Sequence, residues 1–194
     1  MASINIHYAI GKRYIEKNNI TDKESFLKGV IEPDLKKNKD KSHYSNKGEY
    51  LLFLDFAKNK VILPKFLNKN DITSDYKKGI FLHLLTDYLF FNHYFPEKIT
   101  KNVLKEDFLN DLYFSYYENN DYLIDKYNIN FGKLEKKVNK NLEVFKKRRY
   151  NNLSIQGKNI LDNQELNKFI EDTSSINLED YKEKIITNNC NVLP

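Results

Sequence analysis

The chain is expected to fold as an all-α multi-helix bundle, and three features of its sequence point that way. It has only six glycines and four prolines in 194 residues, so few positions are suited to sharp turns. No segment alternates apolar and polar residues with the strict period of two that marks a half-buried strand, and no Asn-Gly dipeptide marks a hairpin. Apolar residues recur instead at spacings of three and four, as in Phe131, Leu134, Val138, Leu142 and Phe145, which places them on one face of a helix.

The elements follow in order. A first helix runs from about Ile4 to Lys17, with Ser3 as a side-chain cap for its free first-turn amides; Ile6, Ile10 and Tyr14 form one stripe, and His7 beside them faces inward. Thr21 or Asp22 caps a second helix through "KESFLKGVI". That helix is expected to end before Pro33, because a proline pushes the preceding residue out of helical geometry. "EPDLKKNKDKSHYSNKG" reads as a polar loop, "EYLLFLDFAKN" as a third helix, and a fourth begins near Ser74 and ends before Pro96. "LKEDFLNDLYFSYYE" and "YLIDKY" continue the pattern, followed by the amphipathic "FGKLEKKVNKNLEVFKKRR". From Tyr150 the chain turns Asn-rich, with two short helices: "DNQELNKFIED", where Asp162 and Glu165 resemble a capping box, and "NLEDYKEKII", capped by Asn177.

The 32 Lys and Arg are interspersed with 27 Asp and Glu, for a net charge of +5. A nucleic-acid or anionic partner is therefore permitted, not indicated. The densest basic run, "KKRRY" from Lys146 to Tyr150, ends a helix where cations suit the dipole, and it reads as a solvated helix end before a nucleic-acid patch. Cys190 is the only cysteine, which excludes an internal disulfide and a thiolate zinc knuckle. The N-terminal stretch lacks the pattern of a secretory signal. The longest apolar runs, about a dozen residues, fall short of the roughly 20 needed to span a bilayer. The expectation is a cytoplasmic protein without a transmembrane segment.

Candidate chemistry centres on "GIFLHLLTDYLFFNH", residues 79 to 93. His83 and Asp87 stand four apart, about 40° from each other around a helix. They are surrounded by Ile80, Phe81, Leu82, Leu84, Leu85, Leu89, Phe90 and Phe91. A carboxylate buried there needs a cation or several donors. A bound divalent metal supplies the first, and a satisfied His–Asp hydrogen bond in a core accounts for the pair equally well. Asp34 follows Pro33 at a helix end, and His43 sits in the loop "KSHYS", where each can turn toward a common centre.

Taken in order, "IHYAIGKRYI", "FLKGVIEPDL", "KSHY" and "GIFLHLLTDYLF" resemble the zinc-dependent phospholipase C family, which is related to the P1-type nucleases. The resemblance covers about residues 4 to 95 and rests on the ordered His, Pro-Asp, Ser-His and His-x-x-x-Asp set. It implies the helical bundle of that family, with one zinc held by Asp34, His43, His83 and Asp87. Asp87 would bridge to a second zinc that His7 also binds. His93, ten residues after His83, stands where the family places the first ligand of a further zinc.

The pattern departs from the family in two places. No histidine follows His93, so a third site would have to draw on Asp107 and Asp111, with Glu106 an equal candidate. The N-terminal tryptophan whose amine is a zinc ligand in secreted members has no counterpart, since the chain contains no Trp. One zinc is expected firmly and a second conditionally.

The resemblance implies a zinc-dependent phosphoesterase, a phosphodiester hydrolase that uses metal-activated water, with Asp34 as candidate base and Asp87 as bridging ligand. Its substrate would be a phospholipid head group, a nucleotide or a nucleic acid; Tyr8, Tyr44 and Tyr88 adjoin the ligands as stacking or packing surfaces. The alternative is a non-catalytic helical interaction module with a structural or lost zinc site. A third class, the HD-type phosphohydrolases, needs an adjacent His-Asp dipeptide, which is absent. The chain thus divides into a helical metal-binding domain over 1–149 and a helical extension over 150–194, packed on it or facing a protein partner.

Overall fold

The computed structural model describes residues 2–96, 102–140 and 157–188. The expectations for Leu142, Phe145, the "KKRRY" run and Cys190 fall outside these residues. The described chain is all-α: it contains no strand, only an isolated antiparallel bridge between Leu52 and Leu104. No described helix is long and apolar enough to cross a membrane.

Helix α1 spans Ile4–Lys17, and the Ser3 hydroxyl accepts the Ile6 amide at 3.3 Å. Helix α2 spans Lys23–Leu35, with Asp22 accepting the Ser25 amide at 3.0 Å. The expected stop before Pro33 is corrected, because the helix runs through that proline and ends two residues later. So near a C-terminus a proline forfeits one intrahelical bond, while burial of Val30, Ile31 and Pro33 holds the last turn in the core. Asp34 therefore sits on a rigid helical turn.

The expected loop after it is also corrected, since it contains a one-turn helix α3, Lys39–Ser42, capped by Asn38. His43 closes that turn and is fully buried, and Tyr44 then takes a left-handed backbone (φ 56°). Helix α4, Phe53–Lys60, starts later than its apolar run suggests. Residues 51–53 are tied to 103–105 by backbone bonds, Phe53 donating to Val103 and Lys105 to Leu51. A short α5, Leu63–Leu67, precedes α6, Asp75–Leu89, whose N-terminus is capped by Ser74. α6 continues into a π-helical turn, Phe90–Tyr94, and stops before Pro96.

Helix α7, Lys105–Tyr127, merges two expected segments into one of 23 residues and ends on the left-handed Asn128. A 3-10 turn, Gly132–Leu134, leads into α8 over 135–140. Asp162 caps α9, Asn163–Thr173, accepting the Gln164 and Glu165 amides. Asn177 accepts the Glu179 amide ahead of α10, Leu178–Asn188. α9 docks on α1, with Glu171 taking Arg13 Nε and Lys17 Nζ, each at 2.8 Å.

The packing that positions the site is that of α2 on α6. A Cβ added at Gly29 would lie 2.2 Å from the Tyr76 carbonyl oxygen, and one at Gly79 2.2 Å from that of Phe26. Two glycines facing each other across the crossing let the backbones touch. Asp34 on α2 is thereby brought within reach of His83 on α6.

Candidate metal centre

Five side chains from four elements converge in the bundle: His7 from α1, Asp34 from α2, His43 after α3, and His83 and Asp87 from α6. His7, His43, His83 and Asp87 have no exposed side-chain surface, and Asp34 has 8%. The Nε2 atoms of His43 and His83 lie 3.0 Å apart. His43 Nε2 is 3.6 Å from Asp34 Oδ1 and 3.4 Å from Asp87 Oδ2, and His83 Nε2 is 3.7 Å from Asp87 Oδ2. Four ligands bonded to zinc at about 2.0–2.1 Å in a tetrahedron are separated by roughly 3.3 Å. These gaps bracket that value.

The hydrogen bonds behind the ligands fix which nitrogen faces the centre. His83 Nδ1 is 2.6 Å from the Val30 carbonyl oxygen, and His43 Nδ1 is 3.0 Å from that of Lys39. A carbonyl only accepts, so each Nδ1 carries a proton and donates it. The Ser42 hydroxyl, which donates to the Pro33 carbonyl, lies 2.9 Å from His43 Nδ1 and can share its proton. In the neutral rings, both Nε2 atoms therefore present lone pairs to each other. Two lone pairs at that distance repel unless a cation stands between them, and carbonyl-anchored imidazoles of this kind are the usual support of metal ligands.

His7 completes a second grouping. Its Nε2 lies 3.3 Å from Asp87 Oδ1 and 3.9 Å from Asp34 Oδ2, and its ring stacks on that of His83 with centroids 3.8 Å apart. Neither His7 nitrogen has a hydrogen-bond partner among the described residues, and the same holds for Asp87 Oδ2. Buried polar atoms without partners are costly, by about 1–3 kcal/mol each; His7 Nε2 faces Asp87 Oδ1, and Asp87 Oδ2 faces the Nε2 atoms of His43 and His83. Asp87 Oδ1 accepts the Ala2 amide at 2.7 Å.

The electrostatics prepare these groups to bind a cation. Burial, and then the neighbouring His7, push the His83 imidazole well below its usual range. For Asp34, burial is the largest single influence and favours the neutral acid, but His43, His83, His7 and Lys39 together outweigh it and hold the carboxyl well below the carboxylate range. Asp87 is lowered in the same way, with His7 the main opponent of burial. A neutral imidazole and ionised carboxylates are the states a metal requires. Two overlapping sets can hold a metal ion: Asp34, His43 and His83, and His7, His83 and Asp87. His83 belongs to both, but with Nδ1 committed to Val30 it has one nitrogen to offer.

The other sequence candidates are not drawn in. Among the described residues, no group of three or more ligand-type side chains includes His93, Asp107 or Asp111. Glu106 and Asp107 are exposed in the first turn of α7, and Asp111 accepts the Lys158 amide at 2.9 Å. His93 lies beside the Tyr88 ring, at 5.7 Å, in the π-helical turn. A wider turn advances less around the axis per residue than an α-helix, so the ten-residue offset from His83 does not keep its α-helical phase. Tyr8 donates to the Asn130 carbonyl and packs edge-on against Phe131; Tyr44 packs on Phe66, and its hydroxyl accepts from Asn70.

Sequence reasoning missed several residues around the centre. Lys39 donates to the Asp34 carbonyl oxygen and lies 3.4 Å from its Oδ1. The Tyr116 phenol, raised well above its usual range chiefly by burial, feels both site carboxylates. Only "KSHYS" carried a local signal, a serine directly before the histidine it supports. No protein-family model matches the chain, and neither a curated protein nor a solved structure does.

Proposed function

We propose that the protein is a zinc-dependent phosphoesterase, a phosphodiester hydrolase of the phospholipase C and P1-nuclease type. The observation that carries the reading is the convergence of the His43 and His83 Nε2 lone pairs with Asp34 and Asp87. Imidazole with carboxylate and no thiolate suits Zn²⁺. Zinc, when bound, lowers the pKa of water toward neutrality and offsets charge growing on phosphoryl oxygens.

The chain's own residues divide the remaining work. His43 and His83 are locked by backbone carbonyls and serve as fixed ligands. Asp87 offers Oδ2 toward that pair and Oδ1 toward His7, which suits a bridging carboxylate. Asp34 is the site carboxylate with solvent-exposed surface, which supports the reading of it as the base that takes a proton from an attacking water. The His7 grouping offers few protein ligands, which leaves room for water as a catalytic site requires.

One observation favours a second reading, a helical interaction module with a structural zinc. His43, His83 and Asp87 are wholly buried and Asp34 nearly so, and four protein ligands without an open position describe a structural site. Hydrolysis of a generic activated phosphodiester, with and without chelator, decides between them. Chelator-sensitive turnover that is lost in Asp34→Asn and His7→Ala supports the hydrolase. Stoichiometric zinc with no turnover on lipid, nucleotide or nucleic-acid phosphodiesters favours the module.

A further inference from the structure

Lys39 connects the metal centre to its surroundings in two ways. Its backbone carbonyl takes the His43 Nδ1 proton at 3.0 Å, while its ammonium donates to the Asp34 carbonyl oxygen and lies 3.4 Å from Asp34 Oδ1. Oδ1 is also the oxygen that faces His43 Nε2, at 3.6 Å. The ammonium and a divalent cation held by His43 therefore seek the same carboxylate oxygen. They are competitors.

Burial shows where that competition meets solvent. The Asp34 side chain is 8% exposed and that of Lys39 32%, while the other four ligand-type side chains expose nothing. A solute approaching this centre through its exposed side thus meets Lys39 and Asp34 together. Charge then decides what Lys39 does. Asp34 and Asp87 carry two negative charges, which one divalent cation balances, so on loading Asp34 no longer offers the lysine cation an unmatched charge. Its base is pinned by the carbonyl bond to His43, yet its flexible four-carbon stem lets the tip move.

We infer that Lys39 is a cation exchanged for the metal: it occupies Asp34 when the centre is unloaded, and on loading is released to form an anion-receiving site for a phosphate-bearing ligand. This rests on the metal reading above and gives Lys39 a positioning role toward both the metal and the anion. The geometry makes the two roles opposite in sign. Removing the ammonium relieves competition for Asp34 and removes the receptor for the anion.

The test titrates zinc into the purified full chain, and then inorganic phosphate into the zinc-loaded protein, for the wild type, Lys39→Met and Lys39→Arg. Lys39→Met is expected to bind zinc about tenfold more tightly and phosphate about tenfold more weakly. Lys39→Arg keeps the charge and is expected to retain phosphate affinity. A purely structural lysine would weaken both affinities together, and that result, or no change in either, overturns the inference. Lys39→Gln serves if Lys39→Met fails to fold. A wild type that binds no zinc overturns the inference together with the metal reading. Opposite shifts in a protein without phosphodiester turnover retain it and remove only the hydrolase.

Discussion

His43 and His83 meet Nε2 to Nε2 at 3.0 Å, while each commits its other nitrogen to a backbone carbonyl, of Lys39 and Val30 respectively. Two neutral imidazoles held this way cannot hydrogen-bond to each other. The carbonyls belong to α2 and α3, which other packing holds in place, so the two rings cannot turn away from each other. A cation between the two nitrogens, a divalent metal or a shared proton, turns the repulsion into a bond.

The support of His43 is graded. Ser42 lies 2.9 Å from Nδ1, but the Lys39 carbonyl is there as well. Loss of an outer partner typically costs 10–100-fold in metal affinity. Ser42→Ala is therefore expected near the lower end, about tenfold weaker zinc binding by competition with a calibrated chelator. A hundredfold loss would mean that the carbonyl bond contributes little.

The helix crossing that assembles the ligands leaves no room for a methyl group. Gly79→Ala would put a Cβ 2.2 Å from the Phe26 carbonyl oxygen, which backbone cannot yield cheaply. Overpacking of this kind costs about 1–3 kcal/mol or more. Urea unfolding should show at least that loss, and zinc affinity should fall too, since α2 carries Asp34 and α6 carries His83 and Asp87. Weakened folding with unchanged zinc affinity would separate the crossing from the site.

This glycine pair marks the limit of what the sequence discloses. Caps and apolar spacing are local, so Ser3, Ser74 and Asp162 announced their helices, and the aspartate and histidines were visible as polar groups in an apolar run. The stop before Pro33 failed because the rule is local and the outcome tertiary: burial of Ile31 and Pro33 outweighs one lost hydrogen bond. Contact between Gly29 and Tyr76, or between Lys39 and Asp34, leaves no trace in residue spacing. The π-helical turn after Leu89 is likewise invisible in residue spacing; His93, which the resemblance made the first ligand of a further zinc, lies in that turn beside Tyr88 and belongs to no group of three ligand-type side chains among the described residues.

The placement of His93 can be tested by itself. His93→Ala and the double variant Asp107→Ala, Asp111→Ala are expected to leave zinc stoichiometry by elemental analysis at the wild-type value. A drop of one equivalent in either would restore a third site.

The docking of α9 on α1 makes a pH-dependent contribution. Hydrogen bonds from Arg13, then Lys17, push the Glu171 carboxyl down from 4.5 to about 2. A lowered folded-state value means that the stabilisation is complete above pH 4.5 and is lost as pH falls toward 2. With side chains 27% to 39% exposed, solvent keeps the contribution below about 1 kcal/mol. Glu171→Gln should lower the melting temperature slightly at pH 7, and the gap should close below pH 4.5. A gap that persists at pH 2 would assign the effect to packing.

The central claim is that these buried histidines and aspartates are metal ligands, and thermal unfolding with zinc or with chelator tests it most directly. At free zinc a thousandfold above the dissociation constant, binding adds about 4 kcal/mol, roughly 8–16 °C for a chain of this size. The account predicts a zinc-dependent rise of that order in the wild type, with at least one equivalent bound, and none in His83→Ala. A wild-type melting temperature indifferent to both zinc and chelator, with no metal retained, would contradict it.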